Sequence, residues 1–511
     1  MSQGSAVTPH EARGGGTLPR ETDRREQWFP ALAAAIVMLV TVWRLSVVLP
    51  RDAGLNHVSG VWVTQAQDLS DGVFYRPLVS AQGYGGTRMM PLHFVLHAAM
   101  MRLGVGVITA GYLISLASAI GLTAGMYALL RRLGAGHFFA GACSVFWLGT
   151  LSGQFAVTTI RGDILPAAMN VWGLVFCLPS RKEGDSSIKV LYAAAFFALA
   201  FVAKLMTLFG FAGAFAALLL QGRKRQAFGL MAATGIEVVF LLALIYVASE
   251  GRWLDCMLAC ATGGGDARGF IHGLLQLLRQ GRDQDLFALM MWVTAVAAVF
   301  SLKREDFTGV VPLTFLATGA VTATVFGSPG VSFNHLLDLN VIALALVAGQ
   351  IARSRLQGLF AIALLSVLAA MGSVFSMARL ARTDSTPKHA ELLQVVHIID
   401  GTGKPVLSEN ALVPFFRGER AYMMDPFMFR VLCLRDPSVR LEFLRKLDNR
   451  DFAGVVLQYD PRTEDGRSVY GKAHFCEGFA EKVIEKYPEA VKVGGFFVFL
   501  PEREDEKEYG D

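Results

Sequence analysis

Eleven stretches of the chain are apolar for long enough to cross, or nearly cross, a hydrocarbon layer about 30 Å thick. They lie at roughly 28–50, 107–130, 136–155, 164–180, 189–203, 206–221, 228–248, 286–302, 309–326, 336–352 and 357–379. Each predicts an α-helix, because a helix satisfies its own backbone in lipid. A twelfth run, Pro91 to Leu103, holds about 13 residues and is too short to cross comfortably. The basic clusters decide its state. If it does not cross, Arg131-Arg132, Arg181-Lys182, Arg223-Lys224-Arg225, Lys303-Arg304 and Arg353/Arg355 all share the side of the basic N-terminal tail. If it crosses, every one of them lands outside. The run is therefore read as an interfacial or half-inserted helix. About eleven spans follow, with the N-terminus cytoplasmic and the C-terminal region extracytoplasmic.

The remainder divides by composition. Residues 1–27 are polar, Gly-rich and charged, and predict a disordered cytosolic tail. The apolar run behind them is too long for a signal-peptide core and reads as a signal anchor. Residues 52–106 form a first extracytoplasmic loop with interfacial helices, within a membrane domain covering 28–380. From 381 to 511 the composition becomes that of a small α/β domain. Strands are expected at 404–408, 452–458 and 491–500, and helices at 437–447 and 478–487. The acidic end, Glu502 to Asp511, reads as a solvated tail.

Composition agrees with this layout. Of 511 residues, 53% are hydrophobic and 17% charged, against about 25% charged in soluble domains, and the mean hydropathy is +0.44. The fold class is thus an α-helical polytopic membrane protein, multi-pass in the plasma (inner) membrane. The net charge of +5 lies in short clusters between apolar runs, so no nucleic-acid partner is implied. In this topology most unusual polar groups gather at one membrane face: the 52–90 loop, Thr158 to Asp163, Lys204 with Thr207, the 249–285 loop, and Gly327 to Asp338. Charges at membrane depth are expensive and mark function, which points to a site open to the exterior.

Some residues carry two readings from sequence alone. Asp52 is a helix-end residue beside Arg51 or a site carboxylate, and Asp68 and Asp71 suit a helix C-terminus and turn. Arg44 snorkels outward or pairs with an acid near Asp52. Asp163 is expected to cap the helix that begins near Ile164, and Asn334 to cap a helix start. Glu237 predicts a structural hydrogen bond. His93 and His97 share a helical face, but no third ligand stands at fixed spacing, so a divalent metal is not indicated. Cys433 and Cys476 fall in the exported domain, where pairing is open to them.

The stretch from Asp52 to Leu92, DAGLNHVSGVWVTQAQDLSDGVFYRPLVSAQGYGGTRMMPL, resembles the first extracytoplasmic loop of the GT-C glycosyltransferases. The similarity extends over about 28–380, to the protein O-mannosyltransferase and lipid A aminoarabinose transferase group. TTIRGDILPAAMN resembles an Arg-x-Asp-x-x-Pro helix entry of bacterial members, and GSPGVSFNHLLDLN an Asn-x-x-x-(Asp/Glu) helix start. Many members carry an acidic pair followed by Tyr after the first span, where this chain reads Asp52-Ala53-Gly54.

The resemblance implies a GT-C fold and an inverting transfer of a sugar from a polyprenyl-phosphate donor to an acceptor hydroxyl. The acceptor would be a lipid, glycan or protein, with membrane lipids around the spans and no cofactor. It implies Asp52 as the catalytic base and Lys204 and Arg161 as donor phosphate-binding residues. Asp68, Asp71, Tyr84, Arg88, Asn334, His335 and Asp338 would line the cavity. Lys204, flanked by apolar residues in AFVAKLMTLFG, equally suits simple snorkelling. A lipid or glycan transporter or flippase is the alternative; it predicts polar groups at the midplane, broken helices and repeated halves. A member whose exported domain only binds glycan is a third.

Overall fold

The computed structural model describes residues 21–178, 187–260, 267–327, 331–353, 358–381, 388–399 and 403–502. The tail before residue 21, the Arg181-Lys182 cluster, Arg355, residues 382–387 next to the expected domain start and the acidic end beyond residue 502 lie outside the described residues.

Every one of the apolar runs contains helix. The first is α1 (Glu21–Val48), closed by a 3-10 turn where Asp52 adopts a left-handed φ of 49°. α2 (His57–Ser70) begins where Asn56 Oδ1 accepts the backbone N–H groups of Val58 and Ser59. α3 (Leu92–Arg102) is the short run, followed by α4 (Val107–Arg132), α5 (His137–Cys143), α6 (Leu151–Val157) and α7 (Ile164–Cys177). α8 (Ser187–Ala203), α9 (Phe209–Leu220) and α10 (Lys224–Ala248) complete the first half of the bundle.

The segment 249–285, expected as a loop, instead holds α11 (Arg252–Cys260) and α12 (Ala267–Gln284). In α12 the apolar residues Phe270, Leu274, Leu277 and Leu278 recur at helical spacing among Arg, Gln and Asp, so mean hydropathy conceals them. α13 (Leu286–Ser301), α14 (Arg304–Phe307), α15 (Val310–Phe326), α16 (Leu337–Arg353) and α17 (Gly358–Ala381) follow. Among the described residues five helices are long and apolar enough to cross a membrane: Trp28–Arg51, Val107–Arg132, Lys224–Ala248, Phe333–Arg353 and Leu359–Ala381. α7, α8, α9, α13 and α15 are apolar but shorter.

The run 136–155 is not one straight helix. It bends by 84° between Gly149 and Leu151. A Cβ at Gly149 would sit 2.7 Å from the Ala369 carbonyl of α17, so only glycine lets these helices approach. Thr150 then caps α6 by accepting from Gly153 N, and Asp285 accepts from both Leu151 N (2.6 Å) and Ala288 N (3.0 Å). One buried carboxylate therefore starts both α6 and α13.

The 52–106 loop is fixed to the C-terminal domain. Its hairpin, β1 (Val79–Ser80) with β2 (Gly83–Tyr84), bonds onward through Tyr84 N to Tyr422 O at 2.8 Å and Met424 N to Tyr84 O at 3.1 Å. Gly83 permits this: its φ is +122°, and a Cβ there would lie 2.0 Å from the Tyr422 oxygen. Arg76 adds bonds to Asp68 (2.5 and 2.7 Å) and to the Ala421 carbonyl (2.6 Å).

The C-terminal domain contains α18 (Lys388–Ile399) and a four-stranded sheet in the order β3 (Leu407–Ser408), β4 (Val455–Leu457), β6 (Phe496–Leu500), β5 (Glu489–Val493). β3 and β4 are parallel and the other pairs antiparallel. The stretch 491–500, expected as a single strand, is part of a hairpin because Gly494 turns the chain with φ +53°. α21 (Pro437–Asp448) and α23 (Phe479–Lys486) match the expected helices; α19 (Leu412–Phe416), α20 (Pro426–Arg435) and α22 (Glu464–Lys472) are additional. The stacked rings of Phe475 and Phe479, 4.0 Å apart, and of Phe443 fill the core. Cys433 and Cys476 lie side by side in it as buried thiols.

Candidate functional site at the bundle end

The entry to α7 is the hub of the site. Thr159 is tied by its carbonyl to Ser115 Oγ at 3.0 Å, and Gly162 packs so closely on Trp62 that a Cβ would lie 2.8 Å from its ring. The intervening and following residues, Arg161 and Asp163, are thereby held in place. Asp163 was expected to cap α7 but makes no side-chain cap bond. Its Oδ1 accepts from Lys204 Nζ at 2.8 Å and its Oδ2 from Arg161 Nε at 3.1 Å. Burial works to raise the Asp163 pKa, but Lys204 and then Arg161 outweigh it and hold the carboxyl well below the usual range.

Lys204 owes its position to the turn between α8 and α9. Its N–H bonds to Ala200 O at 3.0 Å, and the Thr207 hydroxyl donates to the Ala200 or Lys204 carbonyl, 2.7 Å from each. The side chain is 19% exposed, so it does not snorkel freely to solvent. Arg161 also lies over the Phe155 ring at 5.3 Å. His335 and Asp338 approach from the start of α16, within electrostatic reach of Lys204 and Asp163. Asn334 does not cap the helix; its Oδ1 accepts from Ser332 Oγ at 2.6 Å.

The C-terminal domain meets this cluster from the other side. Arg88 stacks over Phe427 at 5.2 Å and is within electrostatic reach of both His335 and Asp425. Asp425 caps α20 through Phe427 N (3.0 Å) and Met428 N (3.2 Å), and burial raises its pKa. Beside it, Glu409 Oε1 accepts from His474 Nδ1 at 2.6 Å. Glu409 Oε2 accepts from Tyr470 OH and Gln458 N, both at 2.8 Å. Burial opposes ionisation of Glu409, yet the His474 bond keeps its pKa below the usual value. The His57 ring lies 5.7 Å from the His474 ring. Burial lowers the His57 pKa to about 4.

The structure thus brings together Lys204, Arg161, His335, Asp338 and Arg88 from among the residues singled out in the sequence. The others make different contacts. Asp52 is bonded to His389 Nδ1 at 3.1 Å rather than to Arg51, and burial raises its pKa. Asp68 is buried against Arg76, and Asp71 pairs with Arg420 at 3.4 Å. Tyr84 sits in the aromatic core between Tyr422, Phe429 and Phe443. Arg44 is buried rather than snorkelled, at 3% exposure. His97 Nε2 is 2.6 Å from the Val107 carbonyl, and no group of three metal-ligating residues forms among the described residues. His57, Glu409, Asp425 and His474 carried no sequence signal, since they are scattered over 400 residues and converge only by folding.

No family model and no curated protein matches the chain. Solved structures do. ArnT from Cupriavidus metallidurans bound to undecaprenyl phosphate aligns over 93% of this chain and 98% of its own, with 13% identity and a TM-score of 0.58. The same protein in the apo state aligns over 84% and 93%, with 14% identity and a TM-score of 0.54. The archaeal oligosaccharyltransferase AglB from Archaeoglobus fulgidus, in complex with an inhibitory peptide and a dolichol-phosphate, covers 95% of this chain and 75% of its own, at 12% identity and a TM-score of 0.51. At these identities the likeness is one of fold: the chain has a GT-C-like fold, mostly helical with a small C-terminal sheet.

Proposed function

We propose that this chain is a multi-pass membrane glycosyltransferase. It moves a sugar from a polyprenyl-phosphate donor to an acceptor hydroxyl at the extracytoplasmic face, with inversion. The observation that carries the reading is the Lys204–Asp163–Arg161 cluster at one end of the helical bundle, 2.8 and 3.1 Å in its two contacts. Two cations share one carboxylate there, beneath a polar domain. A lipid phosphate whose chain lies against the helices meets both cations at that depth. The solved ArnT structure with undecaprenyl phosphate supports a donor of this chemical class.

In the reaction the acceptor oxygen attacks the anomeric carbon from the face opposite the phosphate. The bond to the phosphate oxygen breaks, its electron pair leaves with the phosphate, and Lys204 and Arg161 stabilise the charge that develops. These side chains supply the positive charge, so the scheme requires no cofactor. Asp52 is the assigned base and takes the hydroxyl proton, an assistance worth about 10² to 10⁴ in rate. Burial raises its pKa and so strengthens it as a proton acceptor. His389 holds it from the C-terminal domain. His335, Asp338 and Arg88 line the space between the helices and that domain. Asp68 and Asp71 belong to its supporting wall, each tied to an arginine.

The reading includes about eleven crossings, the N-terminus in the cytoplasm and the C-terminal domain outside. The helical state of all the apolar runs and the distribution of basic clusters support it. A transporter would place its polar groups near the midplane; here they gather at a helix end. The test is to delete the protein from its cells and analyse polyprenyl-linked sugars. Accumulation of one such lipid, reversed by the wild-type chain, is expected. An unchanged lipid profile with no transfer product missing would refute the reading.

A further inference from the structure

The C-terminal domain brings a second organised group to the same place. Glu409 has a fully buried side chain, and its two oxygens accept from His474, Tyr470 and Gln458. Held by three donors, the carboxylate cannot turn. It fixes the proton of His474 on Nδ1, which leaves Nε2 of the neutral ring with a free lone pair. His474 is 16% exposed, and its ring faces that of His57 at 5.7 Å with a 60° tilt. His57 opens α2 and lies within electrostatic reach of Arg161. The row therefore runs Lys204, Asp163, Arg161, His57, His474, Glu409, from the helix ends into the C-terminal domain.

Folding alone does not call for this arrangement. A buried carboxylate held by a neutral imidazole commonly stabilises no more than an apolar pair of the same volume. A ligand between the two imidazoles would account for it. A hydroxyl placed between them satisfies both of its hydrogen-bonding roles: it donates to the Nε2 lone pair of His474 and accepts an N–H from neutral His57.

We propose that His57 and His474 bind a hydroxyl of a polyhydroxylated, glycan-type acceptor, with Glu409 as the positioning residue that sets the His474 tautomer. The bound hydroxyl is a neighbour of the attacking one, whose proton goes to Asp52. This inference rests on the transferase reading above. It assigns the acceptor side of the site to the C-terminal domain and the donor side to the helix ends.

The test measures discharge of the endogenous polyprenyl-linked sugar in native membranes, with undecaprenyl phosphate binding to the purified protein as the donor-side control. His474→Gln should slow discharge about tenfold, the loss expected for one hydrogen bond in a buried site, with undecaprenyl phosphate affinity unchanged. In His474→Ala, added imidazole should restore part of the rate, which a packing role would not allow.

The pH profile gives an independent readout. The groups facing His474 are Glu409, Asp425 and His57, with Arg161 behind His57 and Tyr470 behind Glu409. Burial lowers the His474 pKa but Glu409 outweighs it, leaving a net rise. Protonation removes the Nε2 lone pair, so discharge should fall as the pH drops through that raised value. Glu409→Gln should move this acid limb to lower pH. Wild-type discharge in His474→Gln, or an acid limb unmoved in Glu409→Gln, overturns the proposal. Absence of discharge in wild-type membranes would instead overturn the transferase reading itself.

Discussion

Lys204 Nζ lies 2.8 Å from Asp163 Oδ1, although 41 residues separate them in the chain. The contact joins the turn after α8 to the entry of α7, and Arg161 grips the second oxygen of the same carboxylate. Asp163 thereby holds two cations together at the bundle end. A phosphate arriving there would compete with Asp163 for both.

Replacing Lys204 tests the first cation. Lys204→Ala should weaken undecaprenyl phosphate binding by roughly tenfold, the value of one charge-assisted contact of about 1.4 kcal/mol. The melting temperature should change little, because Arg161 still compensates Asp163. Unchanged affinity with normal expression would return Lys204 to a purely structural ion pair.

Replacing the carboxylate has the opposite sign. Asp163→Asn removes the internal competitor and leaves both cations for the ligand, so undecaprenyl phosphate should bind roughly fivefold more tightly. Titration of the purified variant checks this. Weaker binding would mean that Asp163 matters by aiming the cations rather than by competing for them.

Asp52→Asn keeps size and hydrogen bonding but abolishes basicity. Sugar transfer should fall at least about a hundredfold, the lower end for loss of a general base, while expression and undecaprenyl phosphate binding persist. Asp68→Asn and Asp71→Asn should affect transfer much less. Near-normal transfer by Asp52→Asn alongside loss in either of the others would move the base.

Stability should fall on acidification. Burial holds the pKa of His57 at about 4 and of His93 at about 3, below the ordinary 6.5. The unfolded chain takes up these protons below about pH 6.5 and the folded chain does not, so stability drops as pH falls from there toward 4. His474 acts in the other direction: its pKa is raised, and its contribution is present below pH 6.5 and lost as pH rises through the folded value. Among the histidines, His57, His93, His97 and His335 are lowered and His474 is raised, which predicts a net loss that the raised carboxyls of Asp52 and Asp425 offset in part. Thermal melting at pH 7 and 5 should show the lower midpoint at pH 5, and His57→Gln should narrow the difference. A higher midpoint at pH 5 would contradict this balance.

The helical architecture was legible because an apolar run in a helix needs no tertiary information. Its interruptions were not. The 84° break at Gly149 depends on the approach of α17, and the apolar residues of α12 are interleaved with polar ones, so their average hydropathy is low. Lys204 and Arg161 stood out as charges beside apolar runs. Asp163 looked like a helix cap because local sequence shows only its neighbours, not a lysine from the turn after α8. Tyr84 was expected to line the cavity, but β2 pairs with residues 422–424 and carries it into an aromatic core. His57 and His474 are 417 positions apart, and nothing local in either segment indicates the other.

Release of sugar from a polyprenyl phosphate at the Lys204–Arg161 site can be measured directly. The most direct measurement uses the lipid-linked sugar recovered from cells lacking this protein. It is placed in vesicles with the purified chain and a membrane extract as acceptor source, and release of the carrier phosphate is followed. Wild-type protein should free the carrier phosphate and label an acceptor, while a Lys204→Ala/Arg161→Gln variant should do neither. Intact lipid-linked sugar that merely appears on the other side of the bilayer would contradict it.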